Sequence, residues 1–176
     1  GAKTQPLWLH PFLQDPGETT LRPWLTTRMP TFYFDQSEAT TIARYFSALD
    51  EVEFPFISTA VATNNERLAV GDRLFTLLQC ARCHPTDDGP LPPGVTAADL
   101  APNLMISSER LRPQWVLDWI FDPQGIAPGT RMPTYFDQGQ SPLPEVLGGD
   151  VEAQIEAVRD HVFVTLGDGG GTRDDD

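Results

Sequence analysis

The run Cys80-Ala81-Arg82-Cys83-His84 constrains this chain more than any other feature, and it holds both cysteines of the 176 residues. A C-x-x-C-H run reads as a covalent haem-attachment site. Two thiols three positions apart on a helical turn can each add to one vinyl group of a porphyrin, and the adjacent His84 then faces the iron. A structural zinc site takes four ligands, usually with a second cysteine pair, and no second pair exists here. A thioredoxin-type C-x-x-C belongs in a βαβ pattern, whereas the residues ahead of Cys80 carry a helical period. A disulfide between the two cysteines is the plain alternative. A scaffold built on disulfides is ruled out by the count.

The flanking patterns are helical. Leu68, Gly71, Leu74, Phe75 and Leu78 recur at helical spacing, which predicts an amphipathic helix from near Asn64 into the cysteine motif. Gly71 in its middle costs about 1 kcal/mol against alanine. It marks either a close helix crossing or a neutral surface position. Pro113 suits the first turn of a second helix through Ile120, which Asp122-Pro123 ends. A third runs from about Asp150 to Leu166, where Val151, Ile155, Val158, Val162 and Leu166 form one apolar face. Asp150 can cap its start and Gly167 its end, and it is expected to cross the first helix near Gly71. His161 lies on it as a surface or hydrogen-bonded histidine rather than a ligand. Seventeen prolines argue for stiff irregular loops between short helices. The fold class expected is therefore all-α.

Charge and hydropathy exclude whole classes. The net charge is −13, from 12 basic and 25 acidic side chains. Such a chain does not bind nucleic acid through a phosphate-neutralising surface, and it favours basic partners. No apolar run approaches the length of a membrane span. Residues 168–176 carry almost no apolar content and read as a disordered acidic tail.

Beyond the motif the chain resembles the class I cytochrome c family over about residues 64–166. Gly71-Asp72-Arg73-Leu74-Phe75 leads into the C-x-x-C-H, and Ala101-Pro102-Asn103-Leu104 resembles the family's G/A-P-x-L loop. The resemblance implies one haem c per chain, bound at Cys80 and Cys83, with His84 as the proximal iron ligand. It implies that the Pro102 carbonyl accepts the Nδ1 proton of His84 and that Leu104 packs on the haem. Arg110 or Trp115 is the implied propionate partner, against an exposed arginine and a buried core tryptophan. Gly129-Thr130-Arg131-Met132-Pro133 is similar to the distal loop whose thioether ligates iron. Met132 is therefore the expected sixth ligand, with Met29 and water as alternatives; Met105 follows the Pro102 loop and belongs to the core or rim.

The first third repeats part of this pattern. Trp8 through Pro16 matches Trp115 through Pro123, and Thr27-Arg28-Met29-Pro30-Thr31 is identical to Thr130-Arg131-Met132-Pro133-Thr134. Tyr33-Phe34-Asp35-Gln36 matches Tyr135-Phe136-Asp137-Gln138, and a helix capped by Ser37 follows with Ile42, Tyr45, Phe46 and Leu49. Residues 1–60 thus resemble the distal half of a second cytochrome c unit without a haem-attachment motif, and 61–167 the complete unit. The apolar face of 38–50 is expected to pack on the 64–166 unit, with an upstream domain or a second chain as the alternative cover. Met29 is either a buried relic or a ligand to a haem held elsewhere.

The function implied is electron transfer through a His/Met-ligated haem, as a domain of a larger respiratory or multihaem protein. The alternatives are a haem subunit feeding a catalytic oxidoreductase complex, or a peroxidase-like enzyme whose methionine is displaced. Family resemblance places haem attachment in the periplasm or an equivalent extracytoplasmic space. No leader is visible, and Gly1 reads as the start of a mature or excised fragment.

Overall fold

A computed structural model describes residues 1–17, 27–52, 60–87 and 93–167. The 168–176 tail and residues 53–59 of the connection ahead of Asn65 lie outside these. Among the described residues the chain is all-α: seven α-helices joined by loops and short 3-10 turns, with one isolated antiparallel bridge between Thr4 and Leu111. No helix among them is long and apolar enough to cross a membrane.

Caps define the long helices. Asn64 accepts from the Arg67 amide at 2.9 Å and opens α3 (Asn65–Leu77). Asp150 accepts from the Ala153 amide at 3.0 Å and opens α7 (Val151–Asp160), which continues as a π-helical segment, His161–Leu166. α5 (Pro113–Phe121) begins on its proline, which has no N–H to leave unpaired. In α2 (Gln36–Leu49) the cap is Asp35, not Ser37. Asp35 and Glu38 form a reciprocal capping box, so Ser37 is already inside the helix. Two four-residue helices, α4 (Ser107–Arg110) and α6 (Pro123–Ile126), flank α5.

The core lies where α3, α5 and α7 meet. Leu74, Phe75 and Leu78 of α3 pack with Val116 and Ile120 of α5 and with Ile155, Ala157 and Val158 of α7. Phe136 and Val146 enter from the loop between α6 and α7. Each large side chain so buried contributes roughly 1.5–3 kcal/mol. Gly71 is the crossing point of α3 on α7: a β-carbon there would overlap the Ala157 carbonyl and come within 2.8 Å of His161 Cβ. His161 is buried in this crossing, with Nε2 3.9 Å from Asp72 and its ring centroid 5.2 Å from that of Phe75. Burial lowers its pKa, and Asp72 opposes that shift. The fully buried Asp160 is held between Arg159 at 2.6 Å and Arg67 at 3.3 Å.

The N-terminal segment docks differently from the sequence expectation. α1 (Pro6–Gln14) packs on α2, and the residues from Gly1 to Trp8 contact α4 and α5. The Gln5 amide donates to the Arg110 carbonyl at 2.8 Å, and the Arg112 amide donates to the Lys3 carbonyl at 2.9 Å. The Gln5 side chain donates to the carbonyls of Ser108 and Leu111. The face of α2 expected to bury itself on the larger unit stays open: Tyr45 is 61%, Phe46 42% and Leu49 61% exposed. The backbone partners of Lys3, Gln5 and Arg112 fix the docking position, and they leave that face directed elsewhere.

Candidate functional site

The cysteine motif does not continue α3. Leu78 ends the helix, and Gln79 takes a left-handed conformation (φ 56°), which turns the chain into a separate 3-10 turn, Cys80–Arg82. A non-glycine residue there costs roughly 1–2 kcal/mol. The Cys83 and His84 amides both donate back to the Cys80 carbonyl, at 3.2 and 3.0 Å. This closes the turn and sets the two thiols and the imidazole on one short stretch. Cys80 is half-buried and packs against the core, while Cys83 is exposed. Burial pushes the Cys80 thiol up to about 11.

A ladder of hydrogen bonds pins the Pro102 loop to the motif. The Ala101 amide donates to the Cys83 carbonyl at 2.8 Å, and the Leu104 amide donates to the Pro85 carbonyl at 3.0 Å. The buried Asn103 completes it: its Nδ2 donates to the Asp87 carbonyl, and its Oδ1 accepts from the Met105 amide. At the centre, His84 Nδ1 lies 2.8 Å from the Pro102 carbonyl oxygen. A carbonyl can only accept, so the proton sits on Nδ1, and Nε2 is the basic nitrogen of the ring.

The Met132 loop closes on the same region. Cys80, Leu104, Trp115, Met132 and Tyr135 are all half-buried against the one core cluster. Burial raises the Tyr135 hydroxyl pKa, and the charges of the Cys80 and Cys83 thiols raise it further. Two braces hold the loop. Gln124 Nε2 donates to the carbonyls of Thr130 at 2.7 Å and Met132 at 3.0 Å. Arg131 reaches the Ala98 carbonyl at 2.6 Å and ties this loop to the segment before Pro102.

Arg110 and Trp115 both turn to the N-terminal segment. The Arg110 guanidinium carbon lies 5.4 Å from the Trp8 ring centre. Trp115 stacks on Trp119 at 5.1 Å and carries the Lys3 ammonium 4.5 Å above its ring. Met29 sits in a separate loop at 37% exposure, and Met105 is half-buried behind Asn103. Tyr135, Gln124, Arg131 and Asn103 were not singled out from the sequence. The Tyr33/Tyr135 match was the one signal available for Tyr135; the braces act through backbone carbonyls and leave no pattern.

Among the described residues, no group of three or more His, Cys, Asp or Glu gathers as a metal cage would require. The arrangement instead offers two thiols, one imidazole with a defined tautomer and a half-buried thioether. No protein-family model, curated protein or solved structure matches the chain.

Proposed function

We propose that this chain transfers electrons through one covalently bound haem c in a class I cytochrome c-like fold, with thioether bonds from Cys80 and Cys83 and with His84 and Met132 as axial ligands. The observation that carries the reading is the contact between His84 Nδ1 and the Pro102 carbonyl. A ligating histidine needs its other ring nitrogen held by an acceptor, which fixes the tautomer and raises ligand basicity. The donor set also suits the group, since adjacent thiols, imidazole and thioether are what a His/Met haem c site uses. When bound, the haem supplies a one-electron couple whose potential a methionine ligand raises.

The protein's own residues do the rest. The Pro102 carbonyl retains the proton on Nδ1 and stops the ring from rotating. Leu104 and Tyr135 cover the motif side with apolar surface, which limits water at the site. Gln124 holds the Thr130 and Met132 carbonyls, and Arg131 ties the loop to the Ala98 carbonyl, so that ligand is positioned by the loop and not by a helix. Attachment would take place outside the cytoplasm, in the periplasm or an equivalent space. The partners would be redox proteins with basic docking surfaces.

Denaturing mass spectrometry of the chain matured with haem tests the attachment. The haem mass is expected to stay with the unfolded polypeptide and to be lost in the Cys80→Ala/Cys83→Ala variant. Met132→Ala is expected to turn the ferric haem high-spin and to lower its potential. Haem that dissociates on unfolding would defeat the attachment, and an unchanged Met132→Ala spectrum would defeat the ligand assignment.

A further inference from the structure

The contacts between the N-terminal segment and the larger unit are reciprocal. In the register that aligns Trp8 with Trp115, Gly1 corresponds to Ser108, Lys3 to Arg110, Thr4 to Leu111 and Gln5 to Arg112. The principal contacts then fall into mirror pairs. The Gln5 amide meets the Arg110 carbonyl, and the Arg112 amide meets the Lys3 carbonyl. The Gln5 side chain donates to the Ser108 carbonyl, and the Arg112 side chain donates to the Gly1 carbonyl. Lys3 lies over Trp115, and Arg110 lies over Trp8. Thr4 and Leu111 pair on the axis. The helices match too. α1 and α5 each run nine residues from a proline, and Trp8 stacks on Phe12 as Trp115 stacks on Trp119. Two like units meet about a pseudo-two-fold axis.

The second unit lacks its cover. In the larger unit, α3 lies on Ala157 of α7 and on His161 just beyond it, and Cys80 and Tyr135 pack on the same core cluster. With the caps Asp35 and Asp150 aligned, Ile42 and Phe46 of α2 stand where Ala157 and His161 stand in α7. Phe46 is 42% exposed against 4% for His161, and Tyr33 is 87% exposed where Tyr135 is half-buried. Met29, the counterpart of Met132, is 37% exposed, whereas Met132 is half-buried. What is uncovered is the surface that α3, the helix ahead of the C-x-x-C-H turn, covers in the other unit.

We propose that residues 27–49 form the distal half of a second haem site, covered by a haem-c-bearing helix with its own C-x-x-C-H, and that Met29 supplies the thioether to that haem. The helix is joined ahead of Gly1 in the same polypeptide. In the larger unit, α3 and the motif precede Ser108–Arg112, and Gly1–Gln5 is the counterpart of that stretch, so connectivity puts the missing helix upstream. One departure stands in this half: Gly17 occupies the position of Gln124, so the Met29 loop lacks that brace and depends more on its cover. The proposal rests on the haem reading of the Cys80 site, and the pseudo-two-fold axis extends it to a pair of haems.

The test uses the polypeptide that includes the coding sequence ahead of Gly1, matured with haem c. Two haems per chain are expected by mass. Met29→Ala is expected to turn half of the ferric haem high-spin and Met132→Ala the other half, with Cys80→Ala/Cys83→Ala removing only one haem. Absence of a C-x-x-C-H ahead of Gly1 overturns the proposal, as does a Met29→Ala spectrum identical to the parent's. A single haem that depends on Cys80 and Cys83 also overturns it, while leaving the first site intact. Loss of no haem in Cys80→Ala/Cys83→Ala would instead strike the reading on which it rests. A dimer of the 176-residue chain that Phe46→Glu dissociates would give the face to a second copy and overturn it as well.

Discussion

Burial separates the two thiols of the motif. Cys83 is exposed, whereas Cys80 packs against the core and has its pKa pushed from 9.0 up to about 11. Since the thiolate is the reacting form, that shift leaves about a hundredfold fewer reactive Cys80 anions below pH 9. In the haem-free chain, iodoacetamide at about pH 8 is therefore expected to alkylate Cys83 first. Labelling of Cys80 should accelerate as the pH is raised toward 11. Peptide mapping over a time course reads the order; equal rates at both positions would mean that Cys80 is not covered. At this scale the sequence was informative where chemistry is written in side-chain type. Cys80, Cys83 and His84 are recognisable from spacing alone, and Pro102 and Met132 only through family resemblance. Asn103, Gln124 and Arg131 were not recognisable, because each acts on the carbonyl of a loop whose path the sequence does not reveal.

Helix against helix, the decisive position is Gly71. Alanine favours a helix interior by about 1 kcal/mol over glycine, so propensity alone predicts that Gly71→Ala stabilises. Its β-carbon, however, would overlap the Ala157 carbonyl oxygen of α7. Overpacking of this kind costs typically about 1–3 kcal/mol, and backbone cannot give way as a flexible side-chain end can. Gly71→Ala is expected to lower stability by about 1–2 kcal/mol in denaturant unfolding, and a rise in the midpoint would show that α3 and α7 do not meet as described. α3, α5 and α7 were legible because each carries several helical repeats of apolar residues between a cap or proline and a stop. α4 and α6 have four residues each, too few for a period to show. The docking of the first segment was expected through the apolar face of α2, where the hydrophobic pattern is strongest. It runs instead through Gln5, Arg112 and two cation–aromatic contacts, which hydropathy does not register.

Over the whole molecule, 25 acidic side chains stand against 12 basic ones. Several of the basic groups are already held by partners in the fold. Arg67 and Arg159 hold Asp160, Arg131 donates to the Ala98 carbonyl, Arg112 to that of Gly1, and Lys3 and Arg110 lie over tryptophan rings. The field that reaches solvent is therefore dominated by carboxylates, and it attracts a positively charged partner before any contact forms. Salt must weaken that attraction, because the Debye length shrinks from about 30 Å at 0.01 M to about 10 Å at 0.1 M and about 3 Å at 1 M. If the chain exchanges electrons through the Cys80 site, stopped-flow rates with a basic redox protein should fall steadily over this range. With an acidic acceptor of similar potential they should rise, since screening then removes repulsion. The paired measurement separates charge steering from general effects of salt on stability, which would move both rates in one direction. Rates indifferent to salt with both acceptors would place docking on an uncharged patch and remove net charge as the source of partner choice.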